Sequence, residues 1–308
     1  MDYSMPVRVR WDVDFGGRVG RPKRIARQIR EIAPLSVDLR IEGERGMAEL
    51  SAVFSEINKC GAKVGVTAGL TPRSVAAVRW GYPVDLAWDI GDGGPFRGRL
   101  PGDARAIAFT PDEDTIGALP AVLEEFAESG ARELRLLNVN AVRAVAARGH
   151  VPVPRAGQVR EACDEIAGSP VDLAGKTLVV HDYFLWSALR ERFPAAVGER
   201  VEFGGCQAGA SLVHVDWDGN VYPCDSLPIR LGNLLETPFD RIWRSPARER
   251  VFAAIRATPG ACERCGAYGG CLGGCRGLAH AAGGSFDAPD PSCPKGADGV
   301  KGSRRTPP

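Results

Sequence analysis

Seven cysteines in the last third of the chain, Cys206, Cys224, Cys262, Cys265, Cys271, Cys275 and Cys293, are the residues best suited to chemistry. Twelve residues separate Cys206 from Gly219 and four separate Gly219 from Cys224; Cys262-x2-Cys265-x5-Cys271-x3-Cys275 follows, then Cys293 after a gap. So sulfur-rich a set suits soft metal centres, chiefly zinc or iron–sulfur clusters. In a compartment that keeps thiols reduced, metal ligation is expected ahead of disulfides. One zinc ion on four thiolates, with three bystander thiols, is the simpler reading. Glycine favours the other. Six glycines from Gly266 to Gly277 let the backbone wrap closely around a bulky cluster and offer N–H groups to its sulfurs. Cys60 and Cys163 stand apart and read as half-buried structural thiols.

The elements that must position these thiols follow from hydrophobic period. From residue 6 to about residue 200, short apolar runs alternate with longer segments of helical spacing, the pattern of a parallel sheet covered by helices. Strands are expected at residues 7–13, 37–41, 63–67, 84–90, 106–110, 134–139 and 177–183. Helices are expected from Pro22 through Ile32, from residue 47 to Gly61, and over 114–129, 159–167 and 185–193. Six or so β-α units fit an incomplete (β/α) barrel as well as a doubly wound sheet. After Gly204-Gly205, SLVHVDWDGNVYPC predicts a hairpin turning at Asp218-Gly219, and short helices are expected at 239–243 and 247–257. Residues 260–296 show little periodicity and need an external organiser such as a metal. The division is then 1–200, an α/β barrel-like unit; 201–296, a small Cys-rich unit; and 297–308, a disordered tail.

Composition narrows the class of function. In 308 residues, 39 basic and 38 acidic side chains leave a net charge of +1, so no global field draws in nucleic acid or anionic lipid. No apolar run approaches the roughly 20 residues a membrane span requires, and residues 1–14 lack the apolar core of a secretory signal. A cytoplasmic protein with neither a nucleic-acid nor a membrane partner is expected.

The seven-cysteine spacing resembles the signature of the SPASM domain, the auxiliary-cluster region attached to many peptide-modifying radical S-adenosylmethionine enzymes. DGNVYPCD and LGNLLETPFDRIW resemble the family's stretch between its second cysteine and its quartet. The resemblance covers about residues 206–295. It implies two [4Fe–4S] clusters, one on Cys262, Cys265, Cys271 and Cys293, the other on Cys206, Cys224 and Cys275. Two fully ligated cubanes need eight ligands and the signature supplies seven. The second cluster either keeps an open iron or recruits Asp225, His214 or the distant Cys163; the open site is the favoured expectation.

Upstream the text also resembles a radical S-adenosylmethionine barrel. VRVRWDV stands as its first strand, IEGER where Gly-Gly-Glu-Pro follows the second, and VTAGL where Thr-Asn-Gly follows the third. The loop that should carry C-x3-C-x2-C reads DFGGRVGRPKR, and no cysteine precedes Cys60. Without those thiolates, reductive cleavage of S-adenosylmethionine is not chemically supported, binding of that cofactor is doubtful, and no catalytic residue can be assigned. The combination is similar to the companion SPASM-domain proteins of GeoRSP systems. It implies an iron–sulfur accessory protein beside a radical maturase and its precursor peptide, relaying electrons or binding the peptide. A stand-alone redox or Lewis-acid enzyme and a purely structural scaffold are the alternatives.

Other candidates have simpler explanations. Residues 170–177 imitate a phosphate loop, but Pro170 stands in place of the first glycine and the segment leads into a strand. Gly16, Gly17 and Gly20 lack dinucleotide spacing. Asp216 and Asp218 are better read as hairpin turn than calcium loop. His150, His181 and His280 read as ordinary structural histidines. Arg18, Arg21, Lys23, Arg24, Arg27 and Arg30 form a run read as a solvated helix face, with docking of an acidic partner as the alternative.

Overall fold

Alternation decides the first strand: in RVRWDV, Val9, Trp11 and Val13 are buried on one face while Arg8, Arg10 and Asp12 turn to the other. The computed structural model describes residues 5–14, 20–41, 47–69, 83–91, 93–198 and 205–296. Across this first part run β1 (Arg8–Val13), α1 (Arg21–Ile32), β2 (Ser36–Ile41), α2 (Met47–Asn58), β3 (Lys63–Gly69), β4 (Val84–Asp89), β5 (Ala106–Phe109), α3 (Leu119–Glu128), β6 (Glu133–Leu136), α4 (Ala141–Arg148), α5 (Ala156–Gly168), β7 (Thr177–Val180) and α6 (Tyr183–Arg192). Strands β1 to β7 pair in chain order, every pair parallel. The expected β-α series is therefore present. Helix α4 is an addition: it is short, and Asn140 caps it by accepting the N–H of Arg143.

The sheet curls without closing. Five strands lie between β1 and β7, yet Nη2 of Arg10 on β1 is 3.1 Å from Nε2 of His181, the residue after β7. Covering helices bury Ile25, Ile29, Leu50, Ile57, Leu123 and Phe126 against the outer face. The inner face carries charge instead, with Arg40 paired to Asp89 at 3.1 Å and Arg135 to Asp85 at 2.6 Å. This is the incomplete (β/α) barrel.

The second part adds strands to the same sheet: β8 (Leu212–Val215), β9 (Asn220–Tyr222) and β10 (Gly232–Asn233). Strand β8 pairs parallel with β1, in register Arg10↔His214, and β9 and β10 continue antiparallel, giving the order β10-β9-β8-β1-β2-β3-β4-β5-β6-β7. The hairpin forms, but its turn is larger than the expected Asp218-Gly219 pair. The Asp216 carboxylate accepts the N–H groups of Asp218 and Asn220 at 2.9 Å each and the Asn220 amide at 2.8 Å, so a four-residue loop replaces the two-residue turn. Gly219 occupies φ +85° in it. That carboxylate is committed to the turn, as the non-calcium reading requires.

Helices α7 (Phe239–Trp243) and α8 (Pro246–Arg256) lie where expected. Residues 260–296, which show little periodicity in the sequence, contain α9 (Tyr268–Cys271) and the eight-residue α10 (Arg276–Gly283). Leu278 and Ala279 are buried on α10, but the flanking glycines mask the period in the sequence. Residues 15–19 and 42–46, with the expected tail at 297–308, lie outside the described residues. So does Leu70 of VTAGL, whose first four residues belong to β3.

Three of the six residues of the basic run are in ion pairs, and Arg18 lies outside the described residues. Arg21 meets Asp218, while Arg30 at 2.8 Å and Arg27 at 3.7 Å share Glu56 of α2 with Lys59 at 3.0 Å. The hydrogen bond from Lys59, aided by both arginines and opposed by burial, holds the Glu56 carboxyl below its ordinary pKa. A depressed folded pKa contributes stability above the unfolded value, about 4.3, and that contribution is lost as pH falls through the folded value. Glu56→Gln is expected to flatten the acid limb of urea midpoint against pH below about pH 4.5; an unchanged limb would show that Glu56 carries no such linkage.

Candidate metal centres

The seven thiols are divided between two cavities. Cys262, Cys265, Cys271 and Cys293 border one of about 330 Å³, and Cys206, Cys224 and Cys275 border another of about 510 Å³. Local structure places them. Cys206 precedes β8 and Cys224 follows β9, so the hairpin brings both to one end of its strands. Cys271 ends α9 and Cys275 caps α10; between them Leu272 and Gly273 take left-handed backbone, φ 48° and +80°, turning the chain from one cavity to the other.

Burial pushes the thiol pKa values of Cys206, Cys224, Cys275, Cys262 and Cys293 up. Asp225 adds to this at Cys224 and Asp290 at Cys275. Backbone N–H groups work in the opposite direction: those of Ala208 and Arg276 reach Cys206, that of Ser226 reaches Cys224, that of Leu278 reaches Cys275, and those of Lys295 and Gly296 reach Cys293. Such donors stabilise sulfur charge once a metal replaces the protons. Among the described residues no three His, Cys, Asp or Glu side chains converge so as to hold a single metal ion. The thiols border their cavities rather than meeting at a point. This donor set, soft sulfurs around a space with N–H groups turned to them, fits an iron–sulfur cluster.

The barrel reaches the three-thiol cavity through Arg10. Its Nη1 donates to both Asp225 oxygens, at 2.8 and 3.0 Å, while Nη2 faces Nε2 of His181 at 3.1 Å. Burial alone would raise the Asp225 pKa, but Arg10, with His214 and His181 nearby, holds it below its ordinary value. The residue next to Cys224 is thus fixed to the first strand of the barrel. His181, read from sequence as an ordinary structural histidine, lines this cavity together with Arg8, Arg10, Asn138 and Tyr183.

Of the three residues considered for an eighth ligand, Asp225 borders the cavity with its carboxylate engaged by Arg10. His214 is fully buried on β8, its Nε2 3.5 Å from Oδ2 of Asp12, and is not among the lining residues. Cys163 packs against the main core, where burial and nearby Asp164 push its thiol up to about 11. Cys60 donates to the Ile57 carbonyl at 2.9 Å. Lys176, from the phosphate-loop imitation, donates to the carbonyls of Phe126, Ser129 and Ala131. Sequence reading missed Arg10, Arg276 and Asp290. The last two flank cysteines, whereas nothing local to β1 points to Arg10.

The SPASM iron–sulfur cluster-binding domain matches residues 206–266. The AdoMet-dependent heme synthase of Nitratidesulfovibrio vulgaris is 35% identical over 89 residues, 29% of this chain and 24% of that protein. The mycofactocin maturase MftC of Mycobacterium ulcerans is 35% identical over 97 residues, 30% of this chain and 26% of that protein. The match thus spans about a quarter of the length of these curated relatives. Among solved structures, anSMEcpe with bound AdoMet and Kp18Cys peptide superposes with a TM-score of 0.63 at 13% identity, covering 94% of each chain. Streptococcus suis SuiB bound to S-adenosylmethionine gives 0.55 at 14% identity, over 89% of this chain and 74% of that one. The fold is therefore that of radical S-adenosylmethionine enzymes. Within its C-terminal part, residues 206–266 match the SPASM domain, and the proteins similar to this chain include mycofactocin maturases. No helix among the described residues is long and apolar enough to cross a membrane.

Proposed function

We propose that this chain is a two-cluster iron–sulfur accessory protein that works beside a catalytic radical enzyme in the cytoplasm during modification of a ribosomal peptide, the place held by GeoRSP SPASM-domain proteins. The observation that carries the two-cluster part is the division of the thiols, four around one cavity and three around the other. Cys262, Cys265, Cys271 and Cys293 hold one [4Fe–4S] cluster; Cys206, Cys224 and Cys275 hold the second. When bound, these groups supply one-electron transfer, and an iron with an open position supplies a Lewis-acidic site. Asp225 is held by Arg10, and His214 and Cys163 lie off the cavity, which supports an open fourth position. That position is available to a peptide thiolate or a small molecule. The accessory role rests on the sequence before Cys60, which contains no cysteine for the cluster that cleaves S-adenosylmethionine.

Anaerobically reconstituted protein is expected to bind about eight iron atoms; a plateau near four counts against two clusters. Peptide modification by a neighbouring radical enzyme is expected to require this chain. Turnover by this chain alone would favour the stand-alone enzyme, and unaffected turnover without the second cluster would favour a scaffold.

A further inference from the structure

We propose that Arg276 is a single buried positive charge shared by the two thiol-lined cavities, and that it raises the reduction potentials of both centres together. The proposal rests on the two-cluster reading. Arg276 directly follows Cys275 and opens α10, with only 1% of its surface exposed. Its Nη1 donates to the Gly273 carbonyl at 3.1 Å, and its Nη2 donates to the carbonyls of Ala288, at 3.1 Å, and Phe286. Gly273 borders the four-thiol cavity, whereas Gly274 and Cys275 border the three-thiol cavity. The guanidinium is thereby pinned at the turn where the chain passes from one cavity to the other. Its charge is felt by Cys206 on one side and Cys262 on the other, and its backbone N–H reaches the Cys206 sulfur.

These side-chain hydrogen bonds all end on neutral carbonyls, and Nε has no hydrogen-bond partner. One acidic group interacts with it, the buried Asp290 carboxylate, whose hydrogen bonds go to the Cys275 and Ser292 N–H groups instead, so ionic compensation is incomplete, and burying a guanidinium in that way is costly. Thiolate-ligated clusters are anionic, more so when reduced, so each bound cluster offsets that cost and gains from the same cation. A fixed positive charge in a low-dielectric interior favours the reduced state of its neighbours, and net charge and burial are recognised determinants of cluster potential. Because one group serves both sites, the two potentials move in the same direction.

The test is an EPR-monitored redox titration of anaerobically reconstituted Arg276→Gln and Arg276→Lys, with iron content measured first. Glutamine keeps N–H donors for the carbonyls and drops the charge; lysine keeps the charge and drops the fork. Expected at full iron are downward shifts of both midpoints in R276Q, with R276K remaining near the wild type. Unchanged midpoints in R276Q, or a shift confined to one centre, would overturn the proposal. Iron retained by R276K but lost from R276Q also supports a need for the charge. Loss from both variants would reduce Arg276 to a carbonyl staple. Wild-type protein with about four iron atoms would remove the two-cluster reading itself, an outcome separate from unshifted midpoints at full loading.

Discussion

Replacing Cys262, Cys265 and Cys271 together by alanine is expected to halve the bound iron and to make residues 260–296 the first part of the chain cut by protease. The segment has little of its own to hold it. Its regular structure is one 3₁₀ turn at Gly260–Cys262, the four-residue α9 and the eight-residue α10. Helices this short are unstable in isolation. Few of its apolar side chains are buried, Leu278 and Ala279 among them, and the contacts pinning its far end are slender. The Ala156 N–H donates to the Pro291 carbonyl at 3.0 Å, and the Ser292 hydroxyl donates to the Pro154 carbonyl at 3.2 Å. Structural metal sites contribute on the order of 10 kcal/mol of folding free energy in small zinc domains, and a comparable role is expected of the cluster here. Iron assay and limited proteolysis, each compared with wild type, read the result. Unchanged iron would contradict the four-and-three assignment; loss of all of it would mean that Cys275, in the same segment, no longer holds the second cluster once the first is gone. The barrel core should remain protected, because its packing does not pass through these thiols.

Arg10→Met is expected to lower stability by about 3–5 kcal/mol, the cost of leaving a buried ion-pair partner uncompensated. For a chain of this size that is a fall in Tm on the order of 10 °C. The Asp225 side chain is 14% exposed and that of Arg10 19%, so water can only partly replace the lost partner. The double variant Arg10→Met/Asp225→Asn is expected to recover most of the loss, since removing both charges deletes the unmet desolvation as well as the attraction. Thermal unfolding of wild type, the two single variants and the double variant closes the cycle. Additive effects would mean that the bidentate contact contributes nothing beyond packing.

The parts legible in the sequence are those written over short distances. Alternation in VRVRWDV, the spacing of Ile25, Ile29 and Ile32 after Pro22, and the cysteine intervals each concern neighbours within one element or loop. Long-range consequences were hidden. Nothing near Arg10 points to Asp225, because the contact exists only once β8 has paired with β1. His181 lies beside the thiols because the sheet curls, and its sequence neighbours do not encode that curvature. The hairpin turn differs for another reason: Asp218-Gly219 is a strong local signal, but Asp216 gathers four hydrogen-bond donors and wins. In α10 the residues that wrap a metal site, glycines on either side, are also those that blur a helical period. Nothing in the sequence around Arg276 signals its burial, which comes from the fold of the surrounding loop.

Strand β8 has a consequence for how the chain can be divided or assembled. The first strand made is held on one side by β2, immediately available, and on the other by a strand from the far part of the chain. Until that later strand arrives, one row of β1 backbone donors and acceptors is an open edge, the kind of surface on which chains pair wrongly with one another. Pairings so distant in sequence also form late. Shortening the chain to its first 200 residues would therefore make that edge permanent, and the fragment is expected to self-associate more readily than the whole protein. The part of the chain that carries the seven thiols also covers the open side of the barrel's first strand.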